Sequence, residues 1–237
     1  MALLGKIVLI TGANRGIGLE IARHLGLAGM TVIIGSRHKQ RGQTARDHLQ
    51  AQGVDAHAVE LDVTKQPTID AAARNIDGKF GRLDVLVNNA GVLLDRVPPL
   101  QVDLSLLRTT YETNVFGAFA VIKTMLPLLK RSRAARIVNI SSGWGSLANA
   151  PNLKCPALAY GSSKAALNSI TVLLARELKE ANIKINLADP GSVATAMNNY
   201  QGARTVQQGA IAAVRLAILP DDGPTGGFFD DNGAVPW

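Results

Sequence analysis

The chain has 237 residues, 47% hydrophobic and 18% charged, which is apolar enough for a sizeable core and too sparsely charged for a disordered chain. The net charge of +7 raises nucleic-acid binding, but the basic residues are scattered and their two clusters, 130–136 and 36–41, fall at an expected helix end and just past an expected strand. One cysteine, Cys155, excludes an internal disulfide; no apolar run reaches the roughly 18 residues of a membrane span.

MALLGKIVLI at the start lacks the charged, apolar and small-residue plan of a signal peptide. A cytoplasmic protein is expected, with no membrane or nucleic-acid partner and no metal. In chain order, KIVLI (6–10) predicts a buried strand and GIGLEIARHLGLAG (16–29) a helix. TVIIG (31–35) predicts a second strand, followed by a polar helix to about residue 52. AHAVELDV (56–63) predicts a third, then a helix to about 80; LDVLVNN (83–89) predicts a fourth, then a long helical region over 103–129. RIVNI (136–140) and IKINLAD (183–189) predict strands flanking a helix over 157–181. A helix over 206–219 and a short strand at GGFF (226–229) close the pattern.

Alternating strands and helices with continuously apolar strands predict an α/β fold: a doubly wound parallel sheet of Rossmann type, helices on both faces, one domain over 1–237. Ligands of such sheets bind beyond the carboxyl ends of the strands. TGANRGIG, LDVT, NNAG, NISSGWG and ADPGSVAT each follow a strand, so all five should gather along one edge.

TGANRGIG places glycines at 12, 16 and 18 between the first strand and its helix. Such a loop allows a tight turn and lets a pyrophosphate approach a helix N-terminus, although strand-to-helix turns of this kind also occur without ligands. YGSSK puts Tyr160 and Lys164 four residues apart, on one face of a helix. That is either a half-exposed face or a proton-transfer pair, since a neighbouring ammonium favours a phenolate.

TGANRGIG, NNAG, YGSSK and DPG, in this order in a chain of this size, resemble the short-chain dehydrogenase/reductase family, from Lys6 to about Leu219. The resemblance implies a nicotinamide cofactor and hydride exchange with an alcohol or carbonyl. It assigns Gly12, Asn14, Arg15, Gly16, Ile17 and Gly18 to the pyrophosphate loop, Asp62 and Val63 to the adenine, and Asn89, Ala90 and Gly91 to the adenosine ribose. Pro190, Gly191, Val193 and Thr195 fall to the carboxamide and pyrophosphate. No acid follows the second strand; Ser36 and Arg37 stand there, with Arg15 opposite, and they suit a 2′-phosphate, so NADP(H) is expected. Alone, Asp62 reads as a turn residue and NNAG as a structural turn.

The same resemblance makes Tyr160 the acid in reduction and base in oxidation, Ser142 the group that binds the carbonyl oxygen, with Ser141 structural, and Asn114 the holder of a water beside Lys164. Lys164 also grips the nicotinamide ribose. Leu93, Leu94, Trp144, Leu147, Met197 and Tyr200 are candidates for a substrate pocket, with 196–204 as a lid. Ser142 and Tyr160 are 18 positions apart, wider than in many members, and the extra residues fall within NAPNLKCP (149–156). The C-terminal GGFFDDNGAVPW resembles monomeric carbonyl reductases, but their large insertion is missing, and the long helices commonly pair subunits in the family. The expectation is therefore an NADPH-dependent reductase of ketones or aldehydes, a homo-oligomer (dimer or tetramer). The alternatives are an NAD-dependent dehydrogenase of a steroid-like or sugar alcohol, and a nucleotide sensor without chemistry.

Overall fold

The computed structural model describes residues 3–149 and 157–237; most of NAPNLKCP, with Cys155, lies outside them. Seven parallel strands form one sheet: β1 (Ile7–Thr11), β2 (Thr31–Ser36), β3 (Ala56–Glu60), β4 (Val85–Asn88), β5 (Arg136–Ile140), β6 (Lys184–Ala188) and β7 (Phe228–Phe229). Their order is β3-β2-β1-β4-β5-β6-β7. The helices are α1 (Gly16–Leu27), α2 (Lys39–Gln50), α3 (Gln66–Phe80), α4 (Leu104–Tyr111), α5 (Ala118–Leu129), α6 (Leu158–Glu177) and α7 (Val206–Ala217). This is the expected Rossmann-type architecture.

Strand residues alternate between two cores, as the pleat requires. Val8, Ile10, Val32, Ile34, Val87 and Val138 pack with Ile21, Leu25 and Leu216 on the face of α1 and α7. Leu9, Ile33, Leu86, Ile137 and Ile185 pack with Ile69, Ile76, Val121 and Met125 on the face of α3 and α5. Both faces of the central strands are therefore dry, as interior parallel strands require, while the edge strand β3 is half-buried.

The chain reverses direction of travel across the sheet between β1 and β4, which opens a crevice at their carboxyl ends. The patches that follow β1, β3, β4, β5 and β6 meet along that edge because every strand is parallel.

The helical region expected over 103–129 is present, in three segments: α4, a π-helical stretch Glu112–Gly117, and α5. The wider turn carries buried Asn114; a hydrophobic period does not reveal one extra residue in a helical ladder. Arg136, counted with the basic cluster of 130–136, is 2% exposed. Its guanidinium donates to the carbonyls of Leu219 and Ala135 and pairs with Asp221 at 2.7 Å, so it locks the segment after α7 to the sheet instead of facing a partner.

Candidate active site

The loop after β1 is shaped by missing atoms. Gly12 holds φ +64, and a Cβ there would come 3.0 Å from Ala90 Cα. A Cβ on Gly18 would collide with the Asn89 side-chain amide, which donates to the Thr11 and Gly12 carbonyls. Thr11 Oγ1 in turn accepts the N–H groups of Asn89 and Ala90, both at 3.0 Å. The NNAG turn thus stitches β4 to the glycine loop. Arg15 is the N-cap of α1 and makes no side-chain cap, so the first-turn N–H groups face the crevice without a side-chain acceptor. Such a cradle of free donors under positive helix potential fits a pyrophosphate. Thr195 lies across it, its methyl 3.8 Å from where a Gly16 Cβ would stand. Asn14 and Ile17 are both partly exposed in this loop.

At the end of β2, Ser36 is buried and its hydroxyl donates to His38 O at 3.0 Å. Arg37 and Arg15 are both exposed, and among the described residues no carboxylate pairs with either. The structure therefore leaves two uncommitted guanidiniums at the edge where an adenosine end would lie. Asp62 makes a turn of its own: Oδ1 accepts Thr64 N–H at 3.1 Å and Thr64 Oγ1 at 2.8 Å. Val63 is buried and lies against Gly117 where the π segment joins α5.

The four residues expected at the chemical end converge. Ser142 follows β5, and its Oγ accepts Trp144 N–H at 3.2 Å; the hydroxyl is also near enough to the Tyr160 phenol to favour its ionised form. Its neighbour Ser141 turns inward and donates to Asn168 Oδ1 at 2.6 Å. Lys164 is 4% exposed; Nζ donates to Ile140 O at 2.7 Å and lies 5.6 Å from the Tyr160 ring centroid. The side chain of Asn114 accepts Val92 N–H at 2.8 Å and donates to Val92 O and Ser163 Oγ, so it is fully engaged. A Cβ on Gly91 would sit 3.3 Å from Asn114 Oδ1 and 3.6 Å from Lys164 Nζ.

The charge balance differs from what the sequence alone suggests. Tyr160 is half-buried at the rim, and enclosure by protein pushes its phenol up to about 12, against a smaller lowering from Ser142 and a further rise from Asp189. Burial brings Lys164 down to about 8, opposed by the Asp189 carboxylate. Desolvation is the largest influence on both groups, and the pair rests as a neutral phenol beside a readily titrated amine.

Of the expected pocket residues, Trp144 meets the Tyr160 ring edge-on, centroids 5.8 Å apart at 83°, and Leu93 is partly buried. Leu94, Met197, Leu147 and Tyr200 are exposed, the last two at 76% and 71%. The segment 196–204 is pinned at its base by a bridge between Val193 and Arg204. Pro190 and Gly191 turn the chain after β6, where Gly191 N–H donates to Asp189 Oδ1 at 2.9 Å.

Two carboxylates at this rim are not evident from the sequence. Asp189, the first letter of DPG, has its own pKa raised by burial and is hydrogen-bonded by the Gly143 and Gly191 N–H groups. Asp95 is buried in the loop after β4, and it accepts the N–H groups of Ala159 and Tyr160. Its signal is an absence: no Ser, Thr, Asp or Asn stands at the start of α6 to cap it.

Known proteins share this architecture. The profile of short chain dehydrogenases matches residues 6–205. Short-chain dehydrogenase/reductase 1 of Saponaria officinalis is 34% identical, with 98% of this chain and 96% of that protein covered. Carbonyl reductase (NADPH) 3 of Mus musculus is 32% identical over the whole of both chains. The solved structure of NADPH-bound carbonyl reductase from chicken fatty liver superposes with a TM-score of 0.89 at 29% identity, covering 99% of this chain and 100% of that one.

Proposed function

The chain belongs to the short-chain dehydrogenase family, and from that premise we propose that it reduces a ketone or aldehyde to an alcohol with NADPH, reversibly, as one domain over 1–237. The observation that carries the reading is the meeting of Ser142, Tyr160 and Lys164 at the carboxyl edge of the sheet, beside a glycine loop with free helix donors.

Bound NADPH would supply a hydride to the carbonyl carbon. The α1 N-terminus and the Gly12–Gly18 loop would hold its pyrophosphate, with Thr195 across from them; Arg15, Arg37 and Ser36 would hold the 2′-phosphate. Asp62 and Val63 would flank the adenine, Asn89, Ala90 and Gly91 its ribose, and Val193, beside Pro190 and Gly191, the carboxamide. Ser142 Oγ donates to the substrate oxygen and stabilises the negative charge that develops there. Tyr160 Oη delivers the proton in reduction and takes it back in oxidation. The phenol, held near 12, is fully protonated at neutral pH and ready as an acid. Lys164 restores the balance as its ammonium faces the phenolate left behind. Because the Asn114 side chain is engaged with Val92 and Ser163, its contribution to a water beside Lys164 falls to its backbone in the widened π turn.

Trp144, Leu93, Leu147, Met197 and Tyr200 favour a moderately hydrophobic substrate. Exposed Leu104, Phe116 and Phe119 on the α4–α5 run and Leu158 and Leu173 on α6 suit a homo-oligomer. The test is a panel of ketones and aldehydes with NADPH and NADH in turn, followed by nicotinamide absorbance. NADPH-dependent consumption is expected; preference for NADH, or cofactor binding without turnover of any carbonyl, overturns the reading.

A further inference from the structure

We propose that Asp95 is a positioning residue, a helix cap supplied from another part of the chain, which fixes where the Tyr160 phenol stands. The proposal rests on the function proposed above, in which Tyr160 gives up the proton.

The N-terminus of α6 is the structural problem. Its first turn leaves N–H groups with no partner inside the helix. A serine, threonine, aspartate or asparagine at the N-cap would satisfy one of them. Here the N-cap is Ala157, which makes no side-chain cap. Asp95, more than sixty positions earlier, fills the gap: Oδ2 accepts Ala159 N–H at 2.7 Å and Oδ1 accepts Tyr160 N–H at 3.2 Å. The carboxylate is 1% exposed, and among the described residues no cation pairs with it. The helix N-terminus is thus the positive group that balances its charge.

The places where these bonds land matter for the chemistry. One donor is the backbone of the proton-donating residue itself, so the tether acts directly on the residue that carries the phenol. The other end of the tether is the loop after β4, four residues past Gly91, which already abuts Asn114 and Lys164. A cap built into α6 would stabilise the helix equally well. It would not fix the first turn against β4, and it is that relation that sets the phenol against Ser142 and the crevice. Misplacement of a catalytic group by about 1 Å can cost on the order of 100-fold in rate.

The experiment separates a tether from a mere cap. Asp95→Ala is expected to lower kcat for ketone reduction by about 10- to 100-fold, with the dissociation constant for NADPH changed less than about threefold, and to lower Tm. The double variant Asp95→Ala with Ala157→Ser supplies a local cap; it should restore Tm while kcat stays low. Unchanged kcat in the single variant, or recovery of kcat together with Tm in the double, overturns the proposal. Should Asp95→Ala fail to fold, the double variant alone separates the two outcomes: a low kcat supports the tether and a normal kcat overturns it. Tyr160→Phe is run beside them: turnover at the original rate rejects Tyr160 as acid and leaves the tether to be read spectroscopically. Trp144 meets Tyr160 edge-on, and the chain has two tryptophans. In a Trp237→Phe background, Asp95→Ala with Ala157→Ser should then shift Trp144 emission, and an unshifted spectrum overturns the tether.

Discussion

The two ends of the crevice are built in opposite ways. At the β1–α1 turn the working surface is backbone: glycines without side chains, first-turn N–H groups without a cap, and a stitch from Thr11 to Asn89 and Ala90. At the β5–α6 rim it is buried side chains held by long-range partners: Ser141 to Asn168, Asn139 to Thr171, Asn114 to Ser163, Asp95 to the α6 backbone. A backbone site needs space and tolerates little addition. A side-chain site needs partners and tolerates little removal. The two ends should therefore fail differently, binding at one and turnover at the other.

The largest effect should come from the side-chain end. Tyr160→Phe deletes one oxygen and leaves the ring against Trp144. A loss of roughly 100- to 10,000-fold in kcat is expected, the usual worth of a positioned acid or base, with NADPH affinity nearly kept. Equal losses in both would dissolve the contrast. Next comes the exposed edge of the backbone end, where Arg37 is uncommitted. Arg37→Asp replaces a charge-assisted donor with a repelling carboxylate, so NADPH affinity should fall by about 10- to 100-fold while NADH is spared. Titration of both cofactors checks it; an unchanged ratio rejects the 2′-phosphate assignment.

Within the loop, Gly18→Ala adds a single carbon against the Asn89 amide and 3.0 Å from Ala13 Cα. Asn89 must release Thr11 O or Gly12 O. Overpacking of this kind costs about 1–3 kcal/mol, read as a lower denaturation midpoint, and NADPH binding should weaken by about tenfold. Here kcat at saturating cofactor should move least, the mirror image of Tyr160→Phe.

The same contrast explains what the sequence disclosed. Glycine spacing after an apolar strand is local, so the β1–α1 turn and a doubly wound parallel sheet could be read directly from TGANRGIG and the β–α alternation. The tyrosine–lysine pair was also local, four residues apart. What stayed hidden was long-range: Asp95 reaches α6 across 64 positions, and Arg136 reaches Asp221 across 85. A buried charge is recognised by its partner, and composition does not say which partner will arrive. The π segment stayed hidden for a different reason, since its apolar face continues that of the helices on either side. The phenol's high pKa was also out of reach, because burial depends on what the fold stacks around a residue.

The finest distinction concerns Asp189, where the two ends touch. It follows β6, its Oδ1 accepts Gly191 N–H on the cofactor side, and its charge raises the pKa of both Tyr160 and Lys164 on the chemical side. Reduction by a neutral phenol backed by an ammonium should decline as pH rises through the titration of Lys164, near 8. Asp189→Asn removes the anion and keeps an acceptor for one of the two N–H groups. Loss of a negative neighbour makes an ammonium easier to deprotonate, so the decline in kcat/KM should begin at lower pH. The phenol also becomes easier to ionise, which moves the onset of the oxidative reaction to lower pH as well. Parallel acid-ward shifts in the two directions, with NADPH affinity kept, mark an electrostatic link between the ends. A uniform drop in rate with both inflections in place would instead make Asp189 a brace for the Gly143 and Gly191 turns, and the two ends would then be joined by backbone alone.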